Sequence, residues 1–117
     1  MKYFTLDEFD SPDLPNSGVN MDKGFLAKLE TAREYAGIPF RITSGYRTKE
    51  RNELVGGVPD SAHTKGFAAD LSCTSGGERC IIIKALLDAG FSRIGVANKH
   101  IITDNDPSKV SDVIWTY

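Results

Sequence analysis

Ser61-Ala62-His63-Thr64-Lys65-Gly66-Phe67-Ala68-Ala69-Asp70-Leu71-Ser72 runs from a polar loop into a strand. From Gly66 to Ser72 the residues alternate, with Phe67, Ala69 and Leu71 on one side and Ala68, Asp70 and Ser72 on the other. A period of two marks a half-buried strand, whose second face presents its polar row to a cleft. Asp70 is therefore expected to face away from the core, and a loop folding back over its own strand brings His63 to it. One imidazole and one carboxylate are half of a catalytic zinc site, which takes three protein ligands and keeps a position open for water. On spacing alone the pair is better read as a solvated loop histidine and a strand-edge aspartate, which meet this spacing often by chance.

Upstream, Asp22 reads as the N-cap of a helix carrying Phe25, Leu26, Leu29, Ala32 and Ala36 on one face, with Gly37 as its stop before Pro39. Phe40 to Thr43 alternates as a strand, and after Ser44-Gly45-Tyr46-Arg47 a short helix is expected from Thr48 to Gly56-Gly57. Residues 1–20 hold two turn clusters without periodicity and are expected to wrap the domain as an ordered arm.

Downstream, Ser75-Gly76-Gly77-Glu78 fits a capping box for a helix from Glu78 to Ala89, with Ile82, Ile83, Leu86 and Leu87 as its stripe and Gly90 as its stop. Strands at Arg93–Ala97, His100–Asp104 and Val113–Tyr117, separated by turns, read as a β-meander. The order of elements predicts an α+β fold, a small antiparallel sheet with helices packed on one side.

The 117 residues suffice for a single domain spanning 1–117, and 40% hydrophobic with 26% charged residues is the composition of a chain that builds a core. Fourteen Lys and Arg against sixteen Asp and Glu, with mixed signs, leave no basic face for phosphates, so no nucleic-acid partner is expected. No apolar stretch approaches the roughly 20 residues that span a bilayer, so no membrane insertion is expected. Met1 to Asp10 lacks the basic-then-apolar form of a signal peptide, which predicts synthesis in the cytoplasm. Cys73 and Cys80 are too few for a structural zinc cluster and are read as packing residues or a loop disulfide. The only histidines are His63 and His100.

Taken together, Ser44-Gly45-Tyr46-Arg47, Asn52, Gly56-Gly57 and Ser61 through Asp70 resemble the family of zinc D-alanyl-D-alanine carboxypeptidases and L-alanyl-D-glutamate endopeptidases, which includes the vancomycin-resistance dipeptidases and many phage endolysins. Its pattern is S-G-Y-R, an Asn, G-G, then S-x-H-x-x-G-x-A-x-D. Phe4 to Phe9, Gly90 to Val96 and Val113 to Tyr117 extend the likeness over nearly the whole chain, closest to the small phage-associated branch. The resemblance implies the fold shared with the hedgehog amino-terminal signalling domain, and one Zn²⁺ held by His, Asp and a second His. His63 and Asp70 match the first two ligands. Arg47 matches the arginine that pairs with a substrate carboxylate, which a guanidinium binds bidentately. Ser61 lines the same pocket in the family, and Tyr46 is a further substrate-binding candidate.

The third ligand departs from the family. The branch ends in G-I-A, three variable residues and I-H-x-D, where this chain has Gly95-Val96-Ala97-Asn98-Lys99-His100-Ile101-Ile102-Thr103-Asp104. Without a gap the family histidine falls on Ile102, and His100 lies two residues earlier, about 6–7 Å along a strand. One reading makes His100 the third metal ligand and Asp104 the general base of a peptidoglycan peptidase. The chain would then act as a monomer on the cell-wall stem peptide, after lysis or from a phage particle. The other makes Ile102 a lost ligand and the chain a non-catalytic member that binds a peptide or serves as a structural virion component.

Overall fold

Helix α1 (Lys23–Ala36) forms where the apolar spacing places it. The Asp22 carboxylate accepts from the Phe25 amide at 2.8 Å, and Gly37 closes the helix in the left-handed region at φ 67°. Helix α2 (Lys49–Leu54) is capped by Thr48, whose hydroxyl accepts from the Arg51 amide. Helix α3 (Gly76–Asp88) starts two residues ahead of the expected Glu78, because Ser75 caps it and its first turn follows at once. Glu78 turns back to the Thr74 amide and hydroxyl, so only the Ser75 half of the expected box forms. The buried stripe is Ile82, Ala85 and Leu86, while Leu87 is exposed, since Ala85 sits closer to the centre of the inward arc.

The computed structural model describes all 117 residues. Five strands, β1 (Ile42–Ser44), β2 (Ala68–Ser72), β3 (Arg93–Val96), β4 (His100–Asp104) and β5 (Val113–Thr116), form one sheet in the order β1-β2-β4-β3-β5. All pairings are antiparallel except β3 with β5, which is parallel. That last pairing corrects the expected meander. The outer edge of β4 is already taken by β2, so the chain after Asp104 returns along the sheet and docks on the free edge of β3.

A 17-residue core lies between one sheet face and helices α1 and α3. Ala69 and Leu71 from β2, Ile94 from β3 and Ile101 from β4 meet Phe25, Leu29, Ile82 and Leu86 there. The alternation in β2 therefore holds, and Asp70 stands on the opposite face. The N-terminal arm is ordered as expected, in two short 3-10 turns, Leu6–Phe9 and Ser17–Asn20, that the sequence pattern did not reveal. Glu30 of α1 accepts from the Tyr3 and Phe4 amides and pins its start. Cys73 is buried, Cys80 is exposed and both are free thiols, so the packing alternative holds for Cys73 and no disulfide forms. No helix is long and apolar enough to cross a membrane.

Candidate active site

The sheet face turned away from α1 and α3 floors a cavity of about 350 Å³, in the size range of small-ligand sites. Its walls are the Gly56–Val58 loop, a 3-10 turn at Ala62–Lys65 and the aromatic end of β5.

His63 sits on that turn, which Ser61 caps by accepting from the His63 amide at 3.3 Å. The backbone of the same residue accepts from the Arg47 amide at 3.0 Å, tying the turn to the segment after β1. His63 Nδ1 lies 2.7 Å from the Gly45 carbonyl, which can only accept, so Nδ1 carries a proton and the neutral ring has its lone pair on Nε2. Gly45 is required by its other neighbour, since a Cβ there would stand 2.7 Å from the Phe9 Cα. Nε2 faces Asp70 Oδ1 at 3.0 Å, and yet that buried oxygen accepts no hydrogen bond. Two lone-pair atoms aimed at one point, with the far ring nitrogen held by a carbonyl, are the arrangement a cation between them requires. His63 and Asp70 thus fit two ligands of a metal ion.

Arg47 closes the other side of Asp70. Its Nε donates to Ser44 Oγ at 3.1 Å, its Nη1 to Asn52 Oδ1 at 3.3 Å, and its Nη2 lies 3.6 Å from Asp70 Oδ2. Asn52 is buried and donates in turn to the Val58 carbonyl at 2.7 Å, which sets the pocket-side loop. Tyr46 packs against the core instead of lining the cavity, because neighbours in an extended segment point to opposite sides.

The third metal position has no donor beside the pair. Ile102 is the ladder partner of Asp70, and His100 is the partner of Ser72. His100 and Ile102 both line the cavity, as alternation on β4 demands, and the His100 ring leans toward Tyr117, 6.5 Å between centroids. No three His, Cys, Asp or Glu side chains gather closely enough to hold a metal. The structure therefore brings together His63 and Asp70 of the expected three, with His100 one ladder step away.

Asp104 is buried on the same face, and its Oδ1 accepts from Arg93 Nε at 2.8 Å and from the Asp106 amide at 3.1 Å. Two loop carboxylates nearby are held ionised. Lys109 donates to Asp60 and keeps its carboxyl below the usual range. Burial pushes Asp106 up, but hydrogen bonds from the Ser108 hydroxyl and amide and from Lys65 outweigh it and hold the carboxyl low. Sequence reasoning missed Arg93, Lys109 and Trp115, which line the cavity. The one available signal was the alternation of Val113 to Tyr117, which sets Val113, Trp115 and Tyr117 on one face; the pairing of Trp115 with Gly95 comes from the fold.

A family model described as Peptidase M15 matches residues 2–104, a span holding His63, Asp70, Arg47, Ser61, His100 and Asp104. The chain belongs to the peptidase M15 family. Membership supports a hydrolase of the metallopeptidase kind, and it agrees with the mostly antiparallel α+β architecture. No curated protein matches the chain. Within a peptidase M15 domain, the lone-pair alignment of His63 and Asp70 gains a chemical reason, and Ile102 marks the departure.

Proposed function

We propose that this peptidase M15 domain is a zinc-dependent hydrolase of the peptidoglycan stem peptide, with His63, Asp70 and His100 as its metal ligands. The observation that carries the reading is the unpartnered Asp70 Oδ1 facing His63 Nε2 at 3.0 Å. His100 is the diagonal ladder neighbour of Asp70, a relationship of roughly 7–8 Å between backbones that long side chains span. A bound zinc would supply carbonyl polarisation and a water acidified to a pKa of about 7. The protein's own groups supply the rest. Arg47, held flat by Ser44 and Asn52, receives a substrate carboxylate, and Ser61 lines the pocket beside it. Asp104 is the proposed general base; both of its contacts fall on Oδ1, so the proton is taken at Oδ2.

The setting belongs to the same proposal: a monomeric, endolysin-like enzyme of phage origin that reaches the wall after lysis or from a particle. Release of peptide fragments from purified sacculi, abolished by a chelator and restored by zinc, is the expected result. Sacculi left intact by the zinc-loaded protein would overturn it. Ile102 opposite Asp70 favours a second reading, in which the pocket binds the stem peptide through Arg47 without hydrolysing it. In that case peptide binding survives chelation unchanged.

A further inference from the structure

The cavity does not end at the Arg47–Asp70 corner. It crosses the sheet from β2 over β4 and β3 to β5, three strand spacings or about 14 Å. Its far end is built around Trp115. The indole rests on Gly95, where a Cβ would stand 2.7 Å from Cε2 and Nε1, so only glycine seats the ring there. The guanidinium of Arg93 stands 5.1 Å from the ring centroid and is itself fixed by Asp104 and by the Val110 carbonyl, and the partly buried ring keeps a surface on the cavity it lines. Trp115 is half-buried and lines the cavity, with Lys109 on the same wall.

A rigid aromatic surface edged by charged hydrogen-bonding groups matches one chemistry in particular. A pyranose ring has an apolar C–H face and a rim of hydroxyl and amide groups, so it stacks on an aromatic ring while its rim meets donors and acceptors. Arg93, Lys109, Asp104 and the phenol of Tyr117 line the cavity together with Trp115, and they supply the donors and acceptors that a hydroxyl and amide rim needs. We infer that the β5 end of the cavity is a sugar subsite, in which Trp115 stacks on an N-acetylated pyranose of the glycan strand while Arg93 and Lys109 meet its rim. The inference rests on the peptidoglycan reading for its substrate and not on hydrolysis or metal.

Trp115 is the only tryptophan in the chain, so its emission reports on this subsite alone. Metal-free protein is titrated with chitotriose, an oligomer of N-acetylglucosamine carrying no peptide, and separately with a sugar-free stem tripeptide. The expected result is a saturable change in Trp115 emission with chitotriose. Calorimetry should also show affinity about tenfold weaker in Trp115→Ala and largely kept in Trp115→Phe. Emission unmoved by millimolar chitotriose overturns the subsite, and so does emission moved by the tripeptide alone, which would make this end a peptide site. Because the wild-type titration needs no variant, a Trp115→Ala protein that fails to fold does not blunt the test. Failure of zinc binding or sacculus cleavage leaves the saccharide result readable on its own.

Discussion

Asp70 and Ile102 stand directly opposite each other across the β2–β4 ladder, and Ile102 is buried on the cavity face. The residue best placed to complete a site around the Asp70 carboxylate thus offers methyl groups and no donor atom. Any third protein ligand must reach in diagonally, and on β4 the one imidazole that can do so is His100.

Arg47 joins three elements through Ser44, Asn52 and Asp70, so Arg47→Lys should cost stability as well as ligand affinity. Loss of two hydrogen bonds of about 1 kcal/mol each should lower the melting temperature by roughly 4–10 °C. Calorimetric titration with a stem tripeptide should show affinity at least about tenfold weaker, since the bidentate contact is lost while the charge remains. Unchanged melting and unchanged binding together would remove the guanidinium from both roles.

Gly95→Ala tests the seat of Trp115. The added Cβ meets the indole at 2.7 Å, so the ring must shift, at a cost of about 1–3 kcal/mol. Chemical denaturation should record that loss, and tryptophan emission should move to the red as the ring leaves its support. An unaltered spectrum would mean that the indole does not rest there.

Asp106 has a carboxyl held low in the folded state, although burial acts in the opposite sense. A depressed native pKa stabilises the fold above the unfolded value, near 3.8, and that contribution is lost as pH falls through the native value. At pH 7, Asp106→Asn should therefore be less stable than wild type by about 1–3 kcal/mol, since it loses the Lys65 ion pair at 3.0 Å. The gap should narrow as the pH falls below 3.8 and the native carboxyl takes up its proton. Urea unfolding of both proteins at pH 7, 5 and 3 checks this; a gap independent of pH would assign the loss to packing.

The helix over Asp22–Gly37 and the strand at Asp70 were legible because cap, stop and period all agree locally. The His63–Asp70 contact was legible as well, since a turn of four residues returns the loop over its own strand. The parallel docking of β5 was not, because strand order is decided by which edge β2 leaves open, a fact of tertiary packing. Trp115 escaped notice for the same reason: its partner Gly95 is twenty residues away, across that pairing. That Tyr46 packs against the core was not legible, because motif adjacency to Arg47 says nothing of which side of the chain a residue faces.

Zinc affinity, measured by competition with a chromophoric chelator in wild type, His100→Ala and Ile102→His, tests the proposed ligand set most directly. One zinc per wild-type chain is expected, lost in His63→Ala and weakened by orders of magnitude in His100→Ala, with Ile102→His close to wild type. Wild-type protein that takes up no zinc, or a gain of orders of magnitude in Ile102→His while His100→Ala changes nothing, would contradict it.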